Sequence, residues 1–98
     1  MDIRKELTED RLTMAVSGRL DTTTAPELDA ALKEALPGVK ELVLDFSALD
    51  YISSAGLRVL LTAHKTMSVK GGMKVKNVNE IVSEVLDVTG FSDILTIE

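Results

Sequence analysis

The hydrophobic period of this chain switches repeatedly along its second half, and that switching constrains the fold more than any other feature. Glu41 to Phe46 contains the short continuous apolar run Leu42-Val43-Leu44, the pattern of a central strand covered on both faces. Ser47 to Tyr51 reads as a loop. Ser53-Ser54 then opens a stretch with Leu57, Leu60, Leu61 and His64 on one helical face. Gly71-Gly72 ends the connection, and Met73 to Val78 alternates apolar and polar side chains. Asn79-Glu80 opens a further helix with Val82, Val85 and Leu86 inward, and Gly90 stands where a left-handed residue closes a helix. Ile94 to Ile97 is a last short strand. A strand-helix-strand-helix-strand series pairs its strands in parallel through right-handed crossovers.

The first half adds a different unit. Ile3 to Leu7 alternates, Thr8-Glu9-Asp10-Arg11 is a polar turn, and Leu12, Met14 and Val16 alternate with Thr13, Ala15 and Ser17. That pattern predicts an antiparallel hairpin, ended by Gly18-Arg19-Leu20-Asp21. Thr24-Ala25-Pro26-Glu27 has the form of a capping box with proline in the first turn. Ala25, Leu28, Leu32, Ala35 and Leu36 follow at helical spacing, and Pro37-Gly38 stops the helix. The expected order is ββαβαβαβ: an α/β fold with a mixed, mostly parallel sheet and helices packed mainly on one face.

Ninety-eight residues are expected to make one domain, residues 1–98, with no room for a second. Leu, Val, Ile and Phe account for 31 of them, well above the roughly 20% below which a chain stays disordered. With no cysteine there is no disulfide framework, no thiolate zinc site and no thiol nucleophile. Apolar runs do not exceed four residues, against the ~20 a membrane helix needs. The charged start MDIRKELTEDR is unlike an export signal, so a cytoplasmic protein is expected. A net charge of −5 and three aromatic residues argue against a nucleic-acid surface.

Catalytic readings find little support. Ser54-Ala55-Gly56 is half of a nucleophile elbow, with Ile52 in place of its first glycine. The single histidine, His64, lies ten residues along the same predicted helix, about 15 Å away. Asp21, Asp45 and Asp50 lack calcium-loop spacing, and Asp45 reads as a rim residue of the central strand. Lys70-Gly71-Gly72-Met73-Lys74 lacks the spacing of a phosphate loop. No cofactor or metal is expected.

One segment has an odd composition for a helix start. In Asp50-Tyr51-Ile52-Ser53-Ser54-Ala55-Gly56-Leu57-Arg58, two serines meet the first turn and two very small residues follow. A serine there caps orphan N–H groups. It is equally a hydroxyl beside a bare patch at Ala55 and Gly56, open to modification. A phosphate there meets the positive end of the helix dipole, so the fold tolerates it. The added charge of roughly −1.5 to −2 nonetheless changes a binding face.

Three segments together resemble the STAS domain, and within it the small bacterial anti-sigma factor antagonists. Gly18-Arg19-Leu20-Asp21-Thr22-Thr23-Thr24-Ala25 is similar to the family's G-x-L-D-x-x-x-A turn. Leu42 to Leu49 is similar to its central strand and following loop, and Tyr51 to Leu57 to its phosphoacceptor segment. The likeness covers nearly the whole chain, which stops short of the family's usual C-terminal helix. It implies a partner switch. The unphosphorylated antagonist binds an anti-sigma factor that is also a serine kinase, sigma factor is released, phosphorylation with ATP ends the complex, and a serine phosphatase resets it. Such a protein is a substrate and binding module rather than an enzyme.

Aligned on Gly56-Leu57, the acceptor falls on Ser54. The family's preceding Asp is Ser53 here, a second candidate acceptor, and its following Ser or Thr is Ala55. The resemblance adds Asp21 and Thr22 to the partner-binding set of Ser53, Ser54, Ala55, Gly56, Leu57 and Arg58. Leu57 and Arg58 are expected to flank the acceptor on the contact face. Asp21 equally suits fixing the turn before the first helix. Two rival readings stand beside this one: a STAS module in a stress-signalling scaffold or a membrane lipid transporter, and a nucleotide-binding enzyme.

Overall fold

The computed structural model describes all residues, Met1–Glu98. Its elements run β1 (Asp2–Thr8), β2 (Arg11–Leu20), α1 (Ala25–Ala35), β3 (Glu41–Asp45), β4 (Leu49–Ile52), α2 (Ser54–Ser68), β5 (Met73–Lys76), α3 (Glu80–Val88), a 3-10 turn (Phe91–Asp93) and β6 (Thr96–Ile97). The sheet order is β1-β2-β3-β5-β6, with β4 paired to β2 off this path. The β1–β2 hairpin is antiparallel. Every other pairing is parallel, as the alternation of strand and helix patterns requires.

Burial explains the register. Leu12, Met14 and Val16 of β2, Leu42 and Leu44 of β3, and Met73 and Val75 of β5 are buried on one sheet face. Their neighbours Thr13, Ala15, Val43 and Lys74 are only half-buried. The apolar run Leu42-Val43-Leu44 therefore does not mark a strand covered on both faces. β3 is central, but helices cover one side only, and Val43 lies on the open side. Within the core, α1 contributes Ala25, Leu28 and Leu32, and α3 contributes Val82 and Leu86. The core face of α2 is Leu57, Val59, Leu60, Ala63 and Met67; Leu61 and His64, expected there, are half-buried at its edge.

Two further expectations are corrected. Residues 49–52 are a strand, overlapping the loop expected over residues 47–51, and β2 does not end at Gly18. It runs on to Leu20 through an irregularity at Gly18/Arg19, and β4 pairs with that extension as Gly18↔Leu49, Arg19↔Tyr51 and Leu20↔Ile52. Gly18 has φ 93°, a left-handed conformation that glycine adopts without strain, so the bend passes through the strand without ending it. The other glycines near helix ends behave as read. Gly38 follows the end of α1 and Gly90 that of α3, at φ 84° and 82°.

Candidate functional site

The short β2–β4 pairing brings two distant segments to one edge of the molecule. The Ser53 N–H donates to the Leu20 carbonyl at 2.9 Å. The turn after β2 and the start of α2 therefore leave the sheet side by side. Above this junction the Arg19 guanidinium stacks on the Tyr51 ring, 4.4 Å from its centroid. Its Nε lies 3.8 Å from Asp21 Oδ2. Neither Arg19 nor Tyr51 was marked as a site residue from the sequence. The signal for them was the β2–β4 register, which sets them directly opposite.

Asp21 holds the turn. Its Oδ1 accepts from the backbone N–H groups of Thr23 at 3.0 Å and Thr24 at 3.2 Å. The Thr24 hydroxyl donates to the Arg19 carbonyl at 2.7 Å and accepts from the Asp21 N–H at 2.9 Å. The capping box read at Thr24 and Glu27 is thus not formed. Thr24 is the N-cap but makes no side-chain capping bond, because its hydroxyl is committed to the turn behind it. The Thr24 N–H first, with the Thr23 N–H, the Thr24 hydroxyl and Arg19 adding to it, holds the Asp21 carboxyl below the usual carboxylate range against desolvation.

Asp45 has a parallel role at the end of β3. Its Oδ1 accepts from the Ser47 N–H at 3.0 Å and the Asn77 amide at 3.1 Å, tying β3 to β5. The Ser47 N–H is the main cause of its lowered pKa. Asn79 does more than open α3. Its Oδ1 accepts from the Val82 N–H at 2.8 Å and its Nδ2 donates to the Leu49 carbonyl at 2.8 Å, so it also anchors the start of β4.

At the head of α2 the two serines differ sharply. Ser53 is the N-cap, with extended φ −102° and ψ 176°, yet its side chain makes no capping bond. Its Oγ is buried without a hydrogen-bond partner. Ser54, the first residue of the helix, is exposed. The first turn of α2 carries no acidic residue. Arg58, one turn on, is exposed and enters no ion pair.

Ala55 is half-buried, and Gly56 is not the accessible patch its size suggested. Gly56 is buried, and a Cβ there would lie 2.7 Å from Leu20 Cγ and 2.9 Å from Ile52 Cγ1. The glycine lets the helix start rest directly on the ends of β2 and β4. Leu57, only 5% exposed, belongs to the core and does not stand on a contact face. Gly56 and Leu57 therefore support the site from beneath. Thr22, Ala55 and Arg58 line one shallow groove of about 340 Å³ between α1 and α2, with Pro26, Asp29 and Thr62. An apolar groove of about 390 Å³ continues it along the two helices past Leu32, Leu36, Val59 and Ala63.

Ser54 and His64 share α2 and cannot form a nucleophile–base pair. No three His, Asp or Glu side chains converge in a metal-binding group, and no helix is long and apolar enough to cross a membrane.

Comparison with known proteins agrees with this architecture. Residues 3–96 match the family model described as "Mlab, STAS domain". A Bordetella bronchiseptica protein, BtrV, provisionally named an anti-sigma factor antagonist, is 33% identical over 99% of this chain and 85% of its own length. The anti-sigma F factor antagonist of Paenibacillus polymyxa is 32% identical over 99% of this chain and 87% of its own. Among solved structures, an anti-sigma factor antagonist from Mycobacterium paratuberculosis superposes with a TM-score of 0.89 at 24% identity, covering 98% of this chain and 83% of that one. The chain belongs to the STAS domain family, among the relatives of the bacterial anti-sigma factor antagonists.

Proposed function

We propose that this protein is an anti-sigma factor antagonist controlled by phosphorylation of Ser54. In its unphosphorylated form it binds an anti-sigma factor that is also a serine kinase, and sigma factor is released. The kinase then transfers phosphate from ATP. Ser54 Oγ attacks the γ-phosphorus, the bond to the bridging oxygen breaks, ADP leaves, and the hydroxyl proton passes to a base of the kinase. A serine phosphatase restores the hydroxyl. The protein is the substrate in both steps and supplies no catalytic group.

The observation that carries this reading is the contrast between the exposed Ser54 and the buried Ser53 Oγ. An enzyme can reach the first without disturbing the fold. The surroundings also suit a phosphate. The orphan N–H groups of α2 favour an anion by about 0.3–1 kcal/mol, no acidic side chain opposes it in the first turn, and Arg58 stands at i+4. A phosphate held there withdraws Arg58 from any carboxylate of the partner and adds negative charge to the face formed with Thr22 and Ala55. The fold survives while the complex does not.

Binding of the cognate anti-sigma factor to wild type, Ser54→Ala and Ser54→Asp tests this. Ser54→Ala is expected to bind like wild type and to resist phosphorylation. Ser54→Asp is expected to lose at least tenfold in affinity, about 1.4 kcal/mol, with an unchanged melting curve. Equal affinity of both variants, together with an undiminished complex after phosphorylation of the wild type, would overturn it.

A further inference from the structure

The charge of the chain is divided unevenly along its length. All eleven Lys and Arg precede Asn77, where eleven Asp and Glu balance them, so the whole net charge of −5 falls on residues 77–98. Glu98 pairs with Lys74 at 3.4 Å. Glu80, Glu84, Asp87 and Asp93 enter no ion pair. Three of these four stand on α3, which has no basic residue.

The same helix carries more apolar surface than the core takes up. At about 100° per residue, Val82 and Leu86 point to the core. Ile81, Val85 and Val88 form a neighbouring stripe about 60° wide, and Glu80, Glu84 and Asp87 follow on its far side. Val85 is half-buried, but Ile81 is 58% and Val88 80% exposed. Ile94, beyond the 3-10 turn that packs on α3, is 46% exposed. Single exposed aliphatic residues need no explanation. Two exposed residues, Ile81 and Val88, with the half-buried Val85 between them at i, i+4 and i+7 and bordered on one side by unpaired carboxylates, match the way one amphipathic helix receives another.

We infer that the outer face of α3 is a second docking surface, and that its occupant is a basic amphipathic helix of a partner protein. Apolar side chains of that helix cover Ile81, Val85 and Val88, and its flanking Lys or Arg meet Glu80, Glu84 and Asp87. The charge selects the occupant. A second copy of this chain would set unpaired carboxylates against unpaired carboxylates, and an anionic lipid surface would be repelled. The face shares no residue with the grooves between α1 and α2. It therefore stands whether or not Ser54 is a phosphoacceptor. It is tied to that site by the shared core and by Asn79, which anchors the start of α3 to Leu49 of β4.

The test uses the full chain and two synthetic helical peptides of identical leucine pattern, one with lysine and one with glutamate at the polar positions. Amide chemical shifts are expected to move at residues 80–94 with the lysine peptide alone, less so at high salt. Val88→Lys is expected to weaken binding at least tenfold. Its position at the end of α3 welcomes a cation, so loss of binding will not reflect unfolding. Val69→Lys, at an equally exposed valine elsewhere (85%), is expected to bind like wild type. A footprint away from α3, binding of Val88→Lys as tight as wild type, or concentration-dependent self-association through the α3 stripe would overturn the inference.

Discussion

Replacing Gly56 with alanine tests how the candidate site is mounted on the sheet. The added Cβ would lie 2.7 Å from Leu20 Cγ, 2.9 Å from Ile52 Cγ1 and 3.0 Å from Leu20 Cδ2. Leu20 and Ile52 are 0% and 1% exposed, so neither has free volume to move into. Forcing a methyl into a packed core costs about 1–3 kcal/mol. Alanine recovers at most about 1 kcal/mol over glycine in a helix, and less at the third helical position than in the middle. The net expectation is a loss of about 1–2 kcal/mol, or a melting temperature lower by about 5–15 °C for a domain of this size. Urea unfolding followed by circular dichroism measures it. Because the clash lifts the head of α2 from the ends of β2 and β4, amide exchange should rise first at Ser53 to Leu57. A midpoint at or above wild type would show instead that helix propensity outweighs the close approach.

Two other perturbations bear on the loops that hold the site. Asp21 and Asp45 both lie below their ordinary value of 3.8, so each contributes stability that is complete above the unfolded value and is lost as pH falls through the folded one. Stability should therefore decline on acidification below about pH 4, and the double variant Asp21→Asn, Asp45→Asn should decline less steeply. An unchanged slope would contradict the assignment. Asn79→Ala removes both the α3 cap and the bond to Leu49, with an expected cost of about 1–3 kcal/mol in chemical denaturation and faster amide exchange at Val82. Unchanged stability would show that water replaces both bonds.

The elements that were legible in the sequence are those whose pattern is local. The hairpin, α1 with its Pro37-Gly38 stop, and α3 with Gly90 behind it each declare themselves within about a dozen residues. β4 does not. Leu49-Asp50-Tyr51-Ile52 is too short to show a period, and its partner strand lies far back in the chain, at Gly18 to Leu20, hidden by a glycine that reads as a strand end. Missing that pairing hid the Arg19–Tyr51 stack and the reason for Gly56. That Val43 is only half-buried was illegible for a related reason. An unbroken apolar run says that side chains avoid water on average, not which face the helices cover. In the candidate site, the family pattern put Thr22, Ser54 and Arg58 in one set, and Thr22 and Arg58 do line one groove. Burial, which depends on the whole packing, then separated the exposed hydroxyl of Ser54 from the closed one of Ser53 and moved Gly56 and Leu57 beneath the surface.

The proposed switch depends on a partner kinase modifying Ser54. Intact-mass spectrometry after incubation with the anti-sigma factor kinase and ATP, followed by peptide mapping, locates the modified residue. One phosphoryl group per chain is expected, on Ser54, and none on Ser54→Ala. A phosphoryl group on Ser53, or none on a folded chain that binds the kinase, would contradict it.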